Sequence, residues 1–445
     1  MGNECKCPYC FGKFVPDGVA FKAMTVYTQQ DLEDFSETEQ MEKKAFIEKE
    51  DEVYERFWRE YPGSKPFFEY EKNPVIANYK AKCLKGTYVN DKDNFLVQAV
   101  DTEGKTTKVR ICPHCHNPLP FEFGKYPVKY IALVGITGSG KTVYLAQMFK
   151  KIEEILAHVN LTVVGTHSEM DEFIKSHKIE KNEFLPVGTT SDKLTLPIPV
   201  NVVNNITKRR YSFIFYDIAG ENCVREDNIN KYGKFIRNAD GIIMIVDPKQ
   251  FYELFDLDED GNTDDMYKPE KVVDAMFTAF VSEDSESNSS NIPLAAVLSK
   301  SDILRGGLPE YSNVFKSLDY RKYKNEGFLY DEWQDIHIEL YRLLCNEKIT
   351  MQGKIFEDKL KICFPQHGYF AFSALNCTPV TGQGKDGSQH YYIDEIPETI
   401  RVEEPLFWLL YHMKIIDGID RNGNIVGEKT PKDKKNGWFG RKRGR

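Results

Sequence analysis

From Tyr130 to Thr142 the chain reads YIALVGITGSGKT. Its first five residues form an apolar run with the length of a buried strand, and the amphipathic stretch Val143–His158 after it has the pattern of a helix. A buried strand, a glycine-rich turn and a helix start are the parts of a phosphate-binding loop. This order predicts an α/β fold, a doubly wound and mostly parallel sheet that binds a nucleoside triphosphate.

Each residue type in the turn suits contact with phosphate. Gly135 and Gly140 can take backbone angles closed to other residues, so that successive N–H groups point inward around a β-phosphate. Lys141 can then reach the β- and γ-phosphates, and the Thr142 hydroxyl can bind Mg²⁺. The predicted nucleotide contacts of this segment are Gly135, Gly138, Ser139, Gly140, Lys141 and Thr142. The alternative is a turn that only packs a strand against a helix.

Composition places the chain among globular proteins with a sizeable core. It has 445 residues, of which 41% are hydrophobic, enough for two or three domains. It contains no apolar run of membrane-spanning length and does not open with a signal-peptide pattern, so a cytoplasmic location is expected. The net charge of −9 argues against nonspecific binding of nucleic acid by the protein as a whole.

Cysteines are grouped at two places that are far apart in the sequence. Cys7–Cys10 and Cys112–Cys115 are both Cys-Pro-x-Cys turns, a spacing that lets two thiolates bind one Zn²⁺. Together the four cysteines predict a closed zinc site, with Cys5, His114 and His116 as alternative ligands. A redox Cys-x-x-Cys pair is the other interpretation.

The separation of the two turns is unusual, because 101 residues lie between Cys10 and Cys112. A zinc ribbon normally has roughly 15 to 20 residues there. We therefore interpret residues 11–110 as an α/β subdomain inserted into a split zinc ribbon, which is formed by residues 1–10 and 111–127. The aromatic-rich segment 54–70 is expected to form the core of that subdomain, the alternative being a surface for a partner.

Two segments after the phosphate loop have features of nucleotide-dependent switches. Residues 194–216 have the pattern of an antiparallel hairpin that ends at Asp-Ile-Ala-Gly. At a strand end this motif brings the Asp217 carboxylate near Mg²⁺ and lets the Gly220 N–H meet a γ-phosphate. Before the hairpin, either Thr189 or Thr190 can close over Mg²⁺ and the γ-phosphate; the alternative is a loop of small polar residues.

The choice of base is predicted from two further segments. The apolar run Pro293–Leu298 is followed by Ser-Lys-Ser-Asp, and a carboxylate at the end of a strand, here Asp302, can accept from both N1–H and the N2 amine of guanine. Adenine lacks this pair of donors. Lys300 would lie along the base, and a backbone N–H of Ser373 or Ala374 can donate to guanine O6.

Four motifs follow one another in the chain: residues 135–142, 217–220, 299–302 and 373–374. Together they resemble the ordered motif set of Ras-like P-loop GTPases. The resemblance covers residues 128–415, about two-thirds of the chain. It implies binding of GTP and GDP, Mg²⁺ as cofactor, hydrolysis of GTP in a regulatory switch, and a protein effector or activator as partner. With the paired zinc-binding turns, the chain resembles the bacterial double-GTPase group, which is linked to conflict or defence systems.

Two positions depart from the family pattern. Ser299 stands where Asn or Thr is usual, which predicts rearranged hydrogen bonds that support the phosphate loop and a lower nucleotide affinity. Glu221 follows Gly220, where such enzymes often carry a water-positioning glutamine, and its charge beside a γ-phosphate is unfavourable. Slow hydrolysis that needs a partner's arginine is therefore expected. The predicted catalytic residues are Lys141, Glu221, Thr189 and Thr190.

Two charged segments lie outside this motif set. Residues 256–267 begin like a calcium loop but carry Tyr267 at the twelfth position instead of Glu, so a solvated acidic turn is favoured. The predicted GTPase domain 128–416 ends in residues 398–416, whose apolar pattern is expected to form the last helix on the sheet. Residues 417–445 after it form a turn and a tail. The part from Lys429 to Arg445 holds eight basic residues and one acidic residue. A disordered tail is expected, with contact to an anionic membrane or to nucleic acid as the alternative.

Three other functions remain open beside the switch. An ATPase is disfavoured by the pair of Lys300 and Asp302, and the other two involve the zinc-binding cysteines. One is a nucleotide-binding scaffold with little hydrolysis that recruits a protein through its zinc module. The other is a nucleic-acid-binding NTPase that uses the zinc ribbon and the basic tail.

Overall fold

The computed structural model describes residues 4–76, 86–136, 138–165, 168–186, 194, 196–219, 226–255, 268–281, 290–346, 350–383 and 389–426. The described residues up to 127 are called the N-terminal module below. Its strands are β1 (Cys5–Lys6), β2 (Lys13–Phe14), β3 (Ala20–Lys22), β4 (Val75–Ile76), β5 (Thr87–Asn90), β6 (Leu96–Val100), β7 (Thr106–Thr107) and β8 (Arg110–Ile111). Its helices are α1 (Gln29–Glu33), α2 (Glu37–Lys43) and α3 (Glu52–Arg59).

Strand pairing brings the two ends of the N-terminal module together. β1 and β2 form an antiparallel hairpin, and β3 pairs antiparallel with both β4 and β8. β5, β6 and β7 form a separate antiparallel sheet. Because β3 and β8 lie side by side, the chain returns at Arg110 to the place it left near residue 20.

Helix α3 shows how local sequence sets an element of this module. The Asp51 carboxylate accepts hydrogen bonds from the N–H groups of Val53 and Tyr54 at 3.1 and 3.2 Å, which caps the first turn. The apolar face of the helix is aromatic and buried, and it consists of Tyr54, Phe57 and Trp58. The aromatic segment thus contributes to a core, as expected.

A seven-stranded sheet forms the centre of the rest of the chain. Its strands are β9 (Val128–Gly135), β10 (Leu161–Val163), β11 (Ile198–Asn204), β12 (Arg210–Ala219), β13 (Gly241–Val246), β14 (Leu294–Leu298) and β16 (His367–Ala371). The spatial order is β10-β11-β12-β9-β13-β14-β16. β11 pairs antiparallel with β10 and β12, and the other neighbours pair in parallel. The predicted hairpin is present as β11 and β12.

Helices cover both faces of this sheet. They are α4 (Lys141–Lys150), α5 (Ile152–Ala157), α6 (Ser168–Ser176), α7 (Glu226–Arg237), α8 (Pro269–Val281), α9 (Tyr330–Leu344), α10 (Met351–Cys363) and α11 (Glu404–His412). Side chains of β9 alternate between two apolar clusters: Ile131 and Leu133 pack with α4 and α11, whereas Ala132 and Val134 face α7 and α8. The predicted doubly wound α/β fold is confirmed.

The short strands near the carboxyl end are β15 (Phe328–Leu329), β17 (Val380–Gln383), β18 (Gln389–Tyr392) and β19 (Gly418–Ile419). The last helix, α11, is shorter than the helix expected from the apolar pattern of residues 398–416. Ile400 instead exchanges backbone hydrogen bonds with Ser373, and Arg401 has a left-handed φ of 56°. These two features prevent an earlier helix start. Among the helices described above, none combines the length and the apolarity needed to span a bilayer.

Candidate functional site

The phosphate loop connects β9 to α4. β9 ends at Gly135 and α4 begins at Lys141. Gly138 and Gly140 have φ values of 82° and 91°, in the left-handed region that favours glycine. A Cβ atom on Gly135 would lie 2.5 Å from the Ile245 carbonyl oxygen, so the neighbouring strand leaves no room for a side chain. All three positions therefore require glycine for steric reasons.

Lys141 is folded into the loop that precedes it. Its side chain is buried, and Nζ donates to the carbonyl oxygens of Gly135 at 2.5 Å and Ile136 at 3.2 Å. The buried Ser139 hydroxyl also donates to the Ile136 carbonyl, at 2.7 Å. An ammonium group therefore lies at the amino end of α4, where the helix dipole also favours an anion.

The predicted Mg²⁺ ligands Thr142 and Asp217 are both buried at the carboxyl edge of the sheet. β12 and β9 run in parallel, with Asp217 opposite Leu133 and Ala219 opposite Gly135. Asp217 thus lies inside β12, two residues before its end, and not after it as the sequence suggested. A carboxylate and a hydroxyl are oxygen donors of the kind that Mg²⁺ prefers, so these residues fit that ion.

Lys300 joins the predicted base-binding segment to the phosphate loop. Its Nζ donates to the Gly138 carbonyl oxygen at 2.9 Å and also to the Asp247 carboxylate. Its backbone is left-handed, with a φ of 50°, which is uncommon for a residue other than glycine. Two segments that lie 162 residues apart in the sequence therefore meet through one side chain.

Asp302 is linked to the other predicted base contact. The Ser373 hydroxyl donates to Asp302 Oδ1 at 2.6 Å and accepts from the Asn376 N–H at 2.8 Å. The Ser373 N–H donates to the Ile400 carbonyl, and the Gln147 side chain donates to the Ala374 carbonyl. Because the Ser373 N–H already has an acceptor, Ala374 is the better candidate for a donor to guanine O6.

Ser299 is bonded to the neighbouring strand. Its N–H and its hydroxyl both donate to the Val246 carbonyl oxygen, at 2.9 and 3.2 Å. The side chain is fully buried. The contact between this segment and the phosphate loop is made by the next residue, Lys300.

Several predicted residues lie outside the described part of the chain. They are Thr189, Thr190, Gly220, Glu221, the acidic segment 256–267 and the basic tail from residue 427 onward. Their proposed roles remain predictions.

The four cysteines of the two turns come together in the N-terminal module. The sulfur atoms of Cys7, Cys10, Cys112 and Cys115 all lie within 4.8 Å of one another. Cys7 and Cys115 are 3.7 Å apart, and Cys10 and Cys112 are 3.8 Å apart. A tetrahedral site with Zn–S bonds of about 2.3 Å has S···S edges of about 3.8 Å. The cluster therefore fits Zn²⁺.

Each sulfur also accepts a hydrogen bond from an N–H group. Backbone N–H groups of Tyr9, Gly12 and His114 donate to Cys7, Cys10 and Cys112 at 3.3 to 3.4 Å. Cys115 instead accepts from the side-chain amide of Asn117, at 3.3 Å. Such donors stabilise thiolate charge and orient metal ligands.

The alternative ligands have other partners. Cys5 donates to the Phe14 carbonyl oxygen, and burial raises the pKa of its thiol to about 11. His114 Nε2 lies 2.9 Å from the Lys13 carbonyl oxygen, and His116 Nδ1 lies 2.9 Å from Asp51. The four-cysteine set is therefore the one that the geometry favours.

Two residues at these sites were given no role by the sequence. Asp247 holds Lys300, and Asn117 connects Cys115 to the indole N–H of Trp58, which donates to Asn117 Oδ1 at 2.9 Å. Asp247 directly follows the apolar run Gly241–Val246, which has the pattern of a buried parallel strand, and this position was an available signal. The Asn117–Trp58 contact could not be predicted from the spacing of residues in the sequence, because it depends on how α3 packs against the second cysteine turn.

Residues 129–324 match the model of the Double-GTPase 2 family. The resemblance to the double-GTPase group is thus confirmed. A curated protein of Mycolicibacterium smegmatis, named "Putative ESX-1 scaffolding and assembly protein SaeC", is 23% identical over 214 residues. That match covers 44% of this chain and 52% of the other, so the chain spans about half the length of this relative.

Solved GTPase structures are also similar. The small GTPase Arl6 BBS3 of Trypanosoma brucei, with the bound nucleotide analogue GppNp, is 12% identical, covers 65% of this chain and 99% of its own, and has a TM-score of 0.27. A septin GTPase domain of Chlamydomonas reinhardtii is 12% identical, covers 65% and 95%, and has a TM-score of 0.27. The fold assignment rests on the strand order given above.

Proposed function

We propose that this chain binds guanine nucleotide together with Mg²⁺ and hydrolyses GTP slowly, as a regulatory switch. One observation supports the proposal above the others: Lys300, from the base-binding segment, donates to the Gly138 carbonyl of the phosphate loop. This contact would hold the proposed phosphate site and the proposed base site next to each other. The match to the Double-GTPase 2 family supports the same assignment.

The phosphate half of the site follows from Lys141. Its buried ammonium now binds loop carbonyls, and a γ-phosphate would replace these weaker neutral acceptors with charged oxygens. The amino end of α4 adds N–H donors toward the β-phosphate. When bound through Thr142 and Asp217, Mg²⁺ would neutralise charge on the β- and γ-phosphates.

The base half depends on Asp302. Its carboxylate can accept from guanine N1–H and N2 amine, while the Ser373 hydroxyl holds one oxygen in place. The aliphatic part of Lys300 would cover the base. Adenine offers no matching donors, so we expect strong preference for GTP over ATP.

Hydrolysis is the part of the proposal that depends on Glu221, Thr189 and Thr190. In-line attack by water on the γ-phosphate needs a group that orients the water, and a carboxylate does so at an electrostatic cost. Single-turnover hydrolysis of GTP tests this. Faster cleavage by Glu221→Gln than by the parent supports a switch limited by Glu221, whereas no cleavage by either protein with candidate partners contradicts it.

A nucleotide-binding scaffold is the second candidate. The Mycolicibacterium smegmatis relative is named as a putative scaffolding and assembly protein. In this second proposal, a protein partner would bind to the N-terminal module. Tight GTP binding without turnover, together with equal partner binding in the GTP and GDP states, would favour this function. A role in bacterial conflict or defence, a cytoplasmic location, and a tail that binds nucleic acid or membrane stay predictions.

A further inference from the structure

The first zinc-binding turn is attached to the strand that carries Asp217. The Tyr216 hydroxyl donates to the Pro8 carbonyl oxygen at 2.8 Å, and Tyr216 directly precedes Asp217 on β12. On the neighbouring strand β9, the Tyr130 hydroxyl donates to the Lys6 carbonyl oxygen at 2.5 Å. Two strands of the central sheet therefore hydrogen-bond to the backbone on both sides of the first cysteine of the turn.

Phe11, the residue after this turn, inserts between the two parts of the protein. Its ring centroid lies 5.9 Å from those of Tyr130 and Tyr216, and 5.2 Å from that of Phe235 on α7. Residues of the turn and of the sheet belong to one continuous apolar cluster. A displacement of the turn would therefore disturb the packing around Tyr216.

The backbone of Phe11 is strained, and the contact of its ring with the sheet offsets this strain. Phe11 has a φ of 58°, and His116, at the same position after the second turn, has a φ of 55°. Glycine would be favoured at both positions. Phe11 packs on Tyr130 and Tyr216 of the sheet, whereas His116 is held by Asp51 of the insertion. Each turn thus uses a strained residue to contact a different neighbour.

Further contacts join the insertion to the same side of the GTPase domain. The Tyr61 hydroxyl donates to the Lys231 carbonyl oxygen of α7 at 3.2 Å. Lys234 Nζ lies over the ring of Tyr61, at 5.2 Å from its centroid. The Leu194 N–H donates to the Ser64 hydroxyl oxygen at 2.8 Å. Leu194 follows the predicted switch threonines in sequence, and α7 follows Asp217.

We infer that the N-terminal module is coupled to the nucleotide site through β12, so that zinc binding and triphosphate binding strengthen each other. The inference rests on the proposed function. Asp217 is the proposed ligand of the Mg²⁺ that accompanies the γ-phosphate. Loss of zinc is therefore expected to weaken the binding of GTP more than the binding of GDP. Coupling between two sites is reciprocal, and it commonly amounts to about 5- to 150-fold in affinity.

The test compares two matched glycine variants of the full chain. Phe11→Gly removes the ring that packs on Tyr216 and relieves the strained backbone, while His116→Gly relieves the same strain in the second turn. Zinc content is measured first, and then the dissociation constants of fluorescent GDP and of a fluorescent non-hydrolysable GTP analogue are measured with Mg²⁺. Tyr216→Phe, which loses only the bond to Pro8, is a milder third variant.

Phe11→Gly is expected to keep its zinc and to weaken binding of the GTP analogue relative to GDP about fivefold or more. His116→Gly is expected to keep the parent's ratio of the two dissociation constants, that of the GTP analogue to that of GDP. Removal of zinc with a selective chelator in excess Mg²⁺ should shift the ratio in the parent but not in Phe11→Gly. Equal ratios in the parent, Phe11→Gly and zinc-free protein overturn the coupling alone. Failure of the parent to bind either nucleotide overturns the proposed function as well.

Discussion

Lys300 holds its ammonium between two groups from different segments. One is the neutral Gly138 carbonyl oxygen, and the other is the Asp247 carboxylate at the end of β13. The carboxylate holds the lysine side chain in the direction that the proposed base site requires. We expect Asp247→Asn to weaken binding of GDP about two- to fivefold, as for the loss of a partly exposed ion pair. Titration with fluorescent GDP measures this.

The control is the same substitution at Asp274. Its ion pair with Lys359 joins α8 to α10. Asp274→Asn should bind GDP like the parent. An unchanged affinity in Asp247→Asn would mean that Lys300 is held by Gly138 alone.

Asn117 contacts the four-cysteine cluster without being one of the proposed zinc ligands. It donates to the Cys115 sulfur and accepts from the Trp58 indole, and it is fully buried. Asn117→Ala leaves one sulfur without its donor and is expected to lower zinc affinity about 10- to 100-fold. Competition with a chromophoric chelator measures the affinity.

Asn73→Ala is the matched control, since Asn73 lies in the same module and its amide donates to the Ala23 carbonyl oxygen. It should retain the zinc affinity of the parent. If both variants lose zinc equally, general destabilisation of the module explains the result, and the role of Asn117 in orienting Cys115 is wrong.

At the scale of elements, α10 and β16 are joined by a buried carboxylate. Glu357 on α10 accepts hydrogen bonds from His367, Tyr369 and Lys361. Burial alone would raise the pKa of this carboxyl, but the three hydrogen bonds outweigh it and lower the pKa to about 2. The charged form therefore stabilises the fold.

The pH dependence follows from this shift. The charged Glu357 contributes about 3 kcal/mol to the free energy of unfolding when the pH is above the unfolded pKa, near 4.3. This contribution is lost as the pH falls toward 2. Urea unfolding between pH 6 and pH 3 should show a smaller loss of stability for Glu357→Gln than for the parent. Asp358→Asn, at an exposed neighbour on the same helix, should follow the parent. Parallel curves for Glu357→Gln and the parent would contradict the prediction.

Elements with strong local patterns were predicted correctly. β9 and its glycine turn follow from thirteen consecutive residues, and β11 and β12 follow from alternation. The helix predicted over residues 143–158 is present as two helices, α4 and α5, which are separated at Lys151. The last helix was predicted too long, because the apolar pattern of residues 398–403 also suits a chain that bonds to Ser373. Only the tertiary contact of Ile400 with Ser373 decides between a longer helix and an extended segment.

For the whole molecule, the sequence predicts which distant segments meet when each carries a known motif. The two cysteine turns form a cluster across 101 intervening residues, and Lys300 reaches the phosphate loop. The contact of Phe11 with β12 could not be predicted, because the position of a single aromatic residue after a turn does not indicate which residue it packs against. Packing between domains depends on surfaces that become defined only after folding.

The most direct measurement is equilibrium binding of GTP, ATP and XTP, with Mg²⁺, to the parent and to Asp302→Asn. The Asn side chain can still accept from the Ser373 hydroxyl, so the variant keeps that local bond. Guanine reading by Asp302 predicts that the parent prefers GTP and that the variant shifts toward XTP, since an amide can donate to the xanthine carbonyl. A parent that prefers ATP would contradict the assignment of this chain as a guanine-nucleotide-binding protein, and a variant that keeps the parent's preference would contradict the reading of guanine by Asp302.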